Sequence, residues 1–377
     1  MSSVYLDYNA TAPIRPQAAE AVARALMIGA NPSSVHAAGR KARLVMEEAR
    51  KTVARFVLGD PQSLVFTSGG AEANALAIES AVAAGFAPLI IGATEHDTVV
   101  ETARATGVQV YPLPVDERGV ADLDALRVIL AGLSGRRPFV ALMLANNETG
   151  VVHPIAEAAT LVREADGWLH VDAVQAAGKL SIDMSALGAD TLSLSAHKLG
   201  GPQGVGGLAW GPRAILTRRL HGGGQERGRR AGTENLSGVA GFAAAVDASV
   251  DKPVNEDACV VARNAAAERV QAAGATVIGE DAARLPNTLC LAVPDWPSEL
   301  QVIALDLEGV MVSAGAACSS GKVKPSRVLE AMGLQALAPG ALRASGGWAT
   351  TPADWDRFAE VWTSAYARHT ARKASAA

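Results

Sequence analysis

Cysteine is scarce in this chain. Three occur in 377 residues, at positions 259, 290 and 318. The odd count and wide spacing fit neither a disulfide framework nor a set of metal ligands, and point to a reducing compartment. An excess of one charge is missing too: 34 Lys and Arg against 38 Asp and Glu leave a formal net charge of -4, without the basic surplus that nucleic-acid binding uses. The Arg-rich run ERGRRAG (226–232) is local and flanked by glycine, so it reads as a loop. No stretch is long and apolar enough to span a bilayer, and the opening MSSVYLDYNATAP has no basic start followed by an apolar run, as a secretory signal would. The expectation is a cytoplasmic protein with no membrane or nucleic-acid partner. Lysine is sparse as well, with eight in the chain, so the setting of each one carries information.

What is present is a globular balance, with 49% apolar and 19% charged residues on a chain long enough for two domains. IRPQAAEAVARALMIG and AAGRKARLVMEEARKTVARFVLG carry helical periodicity and end at glycine. SLVFTSGG (63–70) reads as a strand entering a glycine turn, and the helical AEANALAIESAVAAG follows. PLIIGAT, VQVYPL, PFVALMLA, GWLHVDA and DTLSLSAHK read as further strands between helical stretches. This alternation predicts a mostly parallel sheet covered on both faces. Beyond about residue 250 the pattern changes to a helix (255–273), strands around ATVIG and NTLCLAV, and a terminal helix (352–370). That is an α+β pattern, with a boundary near DASVDKPVNED.

Ligands of open α/β sheets bind at the carboxyl ends of the strands. The polar residues there are Thr67 to Gly70, Glu95 and His96, Asn146 to Glu148, Asp172 with Gln175, and Ser195, His197 and Lys198. TSGGAEAN opens a helix on two glycines, a setting for an anion on backbone N–H groups, although an ordinary strand-to-helix turn has the same form. It is not a Walker loop, because no Lys-Ser/Thr follows. Among the lysines, Lys41 and Lys51 lie on a charged helix and Lys373 in the tail. Lys322 and Lys324 follow Cys318 in a polar stretch, and Lys179 and Lys252 lack a comparable cluster around them. Lys198 alone ends a β-run and enters a glycine-rich turn beside His197 and Ser195. It is either a surface lysine or, with a lowered pKa, an amine able to form a Schiff base. A pyridoxal phosphate bound there needs an anion cradle and an acid for its ring nitrogen. Asp172 can be that acid, and His96 can stack on a ring or move protons. Asp172 with Gln175 also fits a helix N-cap with a capping box.

YLDYNATAP, NPSSVH, TSGGAEAN, TEHDTVVE, NNETGVVHPI, VDAVQAAGK, SAHKLGGPQGVG, RRAGTEN and SAGAACSSG, in this order from residue 4 to about 350, together resemble the cysteine desulfurases. These belong to the class V aminotransferase branch of fold-type-I pyridoxal-phosphate enzymes. The resemblance implies an α/β fold with a seven-stranded, mostly parallel sheet. A large cofactor-binding domain would span 14–250. A smaller α+β domain, from 1–13 and 251–377, would carry the Cys318 loop. It implies that Lys198 holds pyridoxal 5'-phosphate and that Asp172 pairs with the ring nitrogen. Gln175 and Asn147 would contact the ring hydroxyl side, and His96 would stack and transfer protons. Gly70, Ala71, Ser195 and His197 would cradle the phosphate, with Thr233 completing the cradle from the second subunit of a homodimer. Arg343 would clamp the substrate carboxylate, assisted by Asn147.

The implied reaction converts L-cysteine to L-alanine. Lys198 removes the α-proton, and the Cys318 thiolate takes the substrate sulfur as a persulfide for an acceptor such as an iron-sulfur scaffold. SAGAACSSGKVKPSRVLEAMG resembles the longer-loop group of the family, whose flexible loop swings the cysteine between cofactor and acceptor. Cys290, in the alternating NTLCLAV, and Cys259, in the helical DACVVARNAA, read as packing residues. Three departures stand out: Ala71, Tyr8 and Ala12 replace residues that are frequently Thr, Asn and Thr. The missing hydroxyl at 71 predicts weaker cofactor retention. Rival readings are a selenocysteine lyase or aminotransferase of the same branch, a non-catalytic scaffold on this fold, and a thiol hydrolase using Cys318 with a histidine.

Overall fold

Strand and helix alternate through the first 250 residues, as the patterning predicts. In this computed structural model, which describes residues 3–251, 257–315 and 325–376, strand β1 (Val4–Tyr5) precedes helices α1 (Pro16–Leu26) and α2 (Ala37–Phe56). There follow β2 (Leu64–Thr67), α3 (Gly70–Ala83), β3 (Leu89–Gly92), α4 (Asp97–Ala105), β4 (Val110–Leu113), α5 (Leu123–Gly132), β5 (Phe139–Ala141) and α6 (Ile155–Glu164). Strands β6 (Trp168–Asp172), β7 (Thr191–Ser195) and β8 (Gly206–Trp210) lead to α7 (Leu236–Asp251). Two helix starts carry local signals: the Asp122 carboxylate accepts from Ala125 N–H at the start of α5 (2.9 Å), and Pro16 opens α1.

The seven strands lie in the order β2-β8-β7-β6-β5-β3-β4. Only β8 runs against the others. Every residue of β5, β6 and β7 is buried, as befits a parallel sheet covered on both faces; the polar residues of β6 and β7, His170, Asp172, Thr191, Ser193 and Ser195, are buried with the rest. The carboxyl ends of the parallel strands, at Thr67, Gly92, Ala141, Asp172 and Ser195, therefore face one edge. Strand β8 escapes sequence reading because it begins in glycine. A Cβ on Gly206 would stand 2.6 Å from the carbonyl carbon of Gly69, so the close approach that shapes the β2–α3 turn removes the side chains that would mark a strand.

The second part of the chain contains α8 (Asp257–Ala272), β9 (Thr276–Val277), β10 (Thr288–Ala292), α9 (Ser298–Asp306), β11 (Val310–Met311), β12 (Ser313–Ala314), α10 (Arg327–Ala331), β13 (Ala341–Ser345) and α11 (Pro352–Ala376). It includes a four-stranded antiparallel sheet, β12-β13-β10-β9. Its core is separate from that of the large sheet: Leu289, Leu291, Leu342, Phe358 and Trp362 form one cluster, and Val140, Leu169, Val171, Leu192 and Leu194 another.

The N-terminal segment joins the two. Strand β1 pairs with β11, Tyr8 N–H donates to the Ser345 carbonyl (3.0 Å), and Ala12 N–H donates to the His197 carbonyl (2.9 Å). Tyr8, one of the departures, is buried. Its ring lies against Gly347, where an added Cβ would stand 1.8 Å from it. The phenol thus fills the space left by a glycine in the turn after β13. The run ERGRRAG is indeed not part of a long helix or strand. It is tied down by a buried ion pair, with Arg50 Nη1 and Nη2 donating to the Glu226 carboxylate at 2.7 and 2.9 Å while Phe66 N–H donates to the same group.

Candidate active site

The strand ends and the N-terminal segment enclose a cavity of about 1030 Å³. On one side is the β2–α3 turn. The first helical bond of α3 runs from Ala73 N–H to the Gly69 carbonyl (3.2 Å), so the N–H groups before it have no acceptor within the helix. Gly70 cannot be substituted lightly: a Cβ there would stand 2.8 Å from Val174 Cγ2. Ala71 lies in the same exposed first turn and lines the cavity. Glu72 closes the outer side, accepting from Ser68 N–H (2.7 Å) and from Arg230 (2.9 Å).

Asp172 ends β6 and is buried. Its carboxylate accepts from Asn74 Nδ2 (2.8 Å) and Val174 N–H (2.9 Å). Asn74 Oδ1 is in turn 3.0 Å from His170 Nε2, and His170 Nδ1 is 3.0 Å from Thr191 Oγ1. Burial pulls His170 down to about 4, so this ring is neutral and fixes Asn74 without adding charge. No helix starts at Asp172, so the capping-box reading fails. Gln175 turns the other way, donating to the Asn9 carbonyl (2.9 Å) and accepting from Lys179 (2.8 Å).

Lys198 sits in the turn after β7. Its Nζ donates to the Asn9 carbonyl (2.7 Å) and the Ala10 carbonyl (2.8 Å). Neither acceptor carries a charge. Burial, followed by the nearby Arg343 guanidinium, lowers Lys198 to about 8. Beside it, His197 Nδ1 is 3.1 Å from Thr11 Oγ1. Its pKa falls to about 4, first through burial and then through Lys198 and Lys179.

Arg343 enters from the opposite side, on β13. It is 3% exposed. Nη2 donates to Asp7 Oδ1 (2.8 Å) and Nη1 to the Asn147 carbonyl (3.1 Å), while Nε is buried without a partner. A guanidinium with one buried N–H left over, at the wall of a cavity, is suited to an incoming carboxylate.

Gly70, Ala71, His96, Asn147, Asp172, Gln175, Ser195, His197, Lys198 and Arg343 all line this cavity. His96 caps α4, its Nδ1 accepting from Thr98 N–H (3.1 Å), and keeps an exposed ring. Thr233 is exposed and does not line the cavity of its own chain. Cys318 lies outside the described residues. Cys290 is buried in β10, and burial pushes its thiol up to about 12. The Cys259 thiol donates to the Thr350 carbonyl (3.2 Å).

Four groups that sequence reasoning gave no role also converge here. Asn9 and Asp7 come from the YLDYNATAP motif, and reach the site because that segment runs between the two sheets. Lys179, set aside for want of a cluster, has one: its buried amine reaches Asn9 and Gln175. Glu148 accepts from Ser326 Oγ (2.6 Å), and burial raises it to about 7.

A family model, aminotransferase class-V, matches residues 4–358. The chain belongs to the class-V aminotransferase family. Members of this family use pyridoxal 5'-phosphate. Among named class-V relatives, a cysteine desulfurase of Cereibacter sphaeroides is 40% identical over 373 residues, covering 96% of this chain and 95% of the relative. Cysteine desulfurase IscS of Dictyoglomus turgidum is 36% identical over 371 residues, covering 95% and 93%. The solved structure of a NifS-like protein from Rickettsia africae superimposes with a TM-score of 0.88 at 30% identity, covering 97% of this chain and 99% of that one. The family and fold that the sequence motifs implied are thus both met.

Proposed function

We propose that this chain is a pyridoxal-phosphate-dependent cysteine desulfurase, in which Lys198, Asp172, Arg343 and Cys318 carry the chemistry. The observation that carries the reading is the presence, in the wall of one cavity, of a half-buried Lys198 amine held by two neutral carbonyls and a buried Asp172 carboxylate. A solved relative, SspA, is described in complex with cysteine. Its TM-score is 0.80 at 27% identity, and the match covers 92% of this chain and 99% of that one.

The residues present fit the cofactor. The turn at Gly70 offers helix N-terminal N–H groups in a space that a Cβ would fill. Asp172, already oriented by Asn74 and Val174 N–H, is the acid for a ring nitrogen. Ser195 and His197 would extend the anion cradle, Asn147 and Gln175 would hold the ring hydroxyl side, and His96 would offer an imidazole. Pyridoxal phosphate supplies, when bound, an electron sink for the substrate α-carbon.

The chain's residues do the remainder. Lys198, lowered to about 8, exists partly as a free amine at neutral pH, able first to bind the cofactor covalently and later to accept the α-proton. Arg343, assisted by Asn147, holds the substrate carboxylate, which competes with or joins Asp7 at the guanidinium. The Cys318 thiolate attacks the substrate sulfur. The new S–S bond forms as the substrate carbon–sulfur bond breaks, and its electron pair stays with the carbon skeleton, which is protonated to L-alanine. No outside oxidant or reductant enters.

Two further parts of the reading rest on the family resemblance: a homodimer in which Thr233 completes the partner's cradle, and delivery of the persulfide sulfur to an acceptor such as an iron-sulfur scaffold. A cytoplasmic location rests on the scarce, widely spaced cysteines. The large cofactor-binding domain would span 14–250, and the smaller one 1–13 and 251–377. The test of the activity is a product assay. The purified chain, loaded with pyridoxal phosphate, should turn L-cysteine into equal amounts of alanine and, with a thiol reductant, sulfide. Formation of a 2-oxo acid without sulfide would favour an aminotransferase. A mass in solution of one chain would remove the dimer.

Ala71 gives a narrower expectation. Introducing a hydroxyl by Ala71→Thr adds a donor at the mouth of the anion turn, and should slow cofactor dissociation by about tenfold, as one added hydrogen bond to a charged group implies. An unchanged off-rate, measured by trapping released cofactor, would contradict it.

A further inference from the structure

Lys179 plays no part in the chemistry above, yet its side chain lies directly behind the cavity wall, against the lining residues Gln175 and Asn9. It is 5% exposed, and its Nζ donates to Gln175 Oε1 (2.8 Å) and Asn9 Oδ1 (3.0 Å). Both acceptors are neutral amides, and among the described residues no carboxylate pairs with it. An amine buried this way is unfavourable when charged. Burial, with Lys198 and Arg343 nearby, holds its pKa well below the ordinary lysine value. Such a group is explained by what its two acceptors do.

Asn9 and Gln175 both touch the reacting lysine's surroundings. The Asn9 backbone carbonyl accepts from Lys198 Nζ (2.7 Å) and from Gln175 Nε2 (2.9 Å). Asn9 is held on its other sides as well, with Nδ2 donating to Thr288 Oγ1 (3.0 Å) and to the Asn147 carbonyl (3.1 Å). Gln175 is gripped at both ends of its amide, by Lys179 at Oε1 and by Asn9 at Nε2. A primary amide has one acceptor oxygen and one NH₂ group. With Oε1 committed to Lys179, only the NH₂ end can face the cavity.

We propose that Lys179 is a positioning residue: by holding Gln175 Oε1 and Asn9 Oδ1 together it fixes Gln175 as a hydrogen-bond donor toward the cofactor ring oxygen and keeps the Asn9 carbonyl set against Lys198. This rests on the pyridoxal-phosphate reading given above. Without Lys179 the Gln175 amide is held only by its Nε2 bond to the Asn9 carbonyl, and nothing at Oε1 opposes a turn of that oxygen inward, against an anionic ring oxygen. A donor at that oxygen favours the more anionic, deprotonated form of the bound chromophore, so its loss raises the pH at which the chromophore titrates.

The test uses holoenzyme of the wild type, Lys179→Met and Lys179→Gln. The visible band that borohydride bleaches is titrated with pH, and the cofactor dissociation constant is measured by dialysis. Lys179→Met is expected to move the titration midpoint up by about one pH unit and to raise the dissociation constant about tenfold. Lys179→Gln keeps an N–H donor but no charge, and is expected to recover most of both shifts. A midpoint unmoved in the Met variant, with only the melting temperature lowered, would overturn the proposal and leave the lysine a packing element. A Gln variant shifted as far as the Met variant, or farther, would overturn it too, because the effect would then be one of charge. If the Met variant does not fold, a Gln variant indistinguishable from wild type by both readouts supports it. Absence of a borohydride-sensitive band in the wild type would instead refute the cofactor reading itself.

Discussion

Replacing Lys198 with alanine is expected to abolish the borohydride-sensitive visible band and to lower alanine formation from cysteine by about a thousandfold or more, the span of a lost acid–base group. The structure makes the effect large because the two basic groups beside Lys198 among the described residues cannot substitute. His197 is held neutral at about 4 and its Nδ1 faces Thr11 Oγ1. Lys179 is committed to Asn9 and Gln175. The same environment fixes a pH dependence. Burial and the Arg343 guanidinium lower Lys198 to about 8, so the amine is mostly protonated below that value and mostly free above it. Cofactor capture by the wild-type apoprotein should therefore rise with pH and level off a little above about 8, where an ordinary lysine would still be gaining reactivity past pH ~10. Stopped-flow absorbance of the apoprotein mixed with pyridoxal phosphate reads both the wild-type profile and its loss in Lys198→Ala. A variant that still forms the bleachable band would place the covalent link on a different amine.

Lys198 was readable from sequence because its signal is local: a β-run ends, glycines follow, and Ser195 and His197 stand beside it. The same holds for Asp172 at the end of β6 and for the glycine turn before α3. The residues that sequence reading passed over act across long separations. Asn9 hydrogen-bonds Thr288, Asn147 and Lys179, and each of those links exists only after the N-terminal segment has run between the two sheets. Lys179 looks isolated in sequence because one partner, Asn9, arrives from 170 positions away and the other, Gln175, is brought to it by the turns between residues 174 and 179. Asp7 pairs with Arg343 across 336 positions. Strand β8 was missed for a related reason, since its glycines serve close packing against the β2–α3 turn and so lack the β-branched and aromatic signal of a strand. Local physics thus disclosed the parallel sheet and the groups at its strand ends. The second layer, which orients those groups, depends on tertiary closure.

Changing Cys318 to serine should separate the two halves of the reaction. The described contacts of Lys198, Asp172 and Arg343 run to Asn9, Asn74 and Asp7, which the substitution leaves in place. The variant should bind pyridoxal phosphate, show the band, and respond spectrally to L-cysteine. Sulfide release in the presence of a thiol reductant should fall by about a hundredfold or more, because the nucleophile that accepts sulfur is gone. The chain's other thiols cannot replace it. Cys290 is fully enclosed in β10, with its thiol pushed up to about 12, far from the thiolate that sulfur transfer requires. Cys259 hydrogen-bonds the Thr350 carbonyl, and neither residue lines the cavity. Cys259→Ser is therefore the matched control, expected to release sulfide at the wild-type rate. Mass spectrometry after a single turnover completes the test: wild-type protein should carry one added sulfur on the peptide containing Cys318, and the Cys318→Ser variant none on any peptide. Sulfide formed at the wild-type rate by Cys318→Ser, or sulfur found on Cys259, would move the carrier role away from Cys318 while leaving the Lys198 chemistry intact.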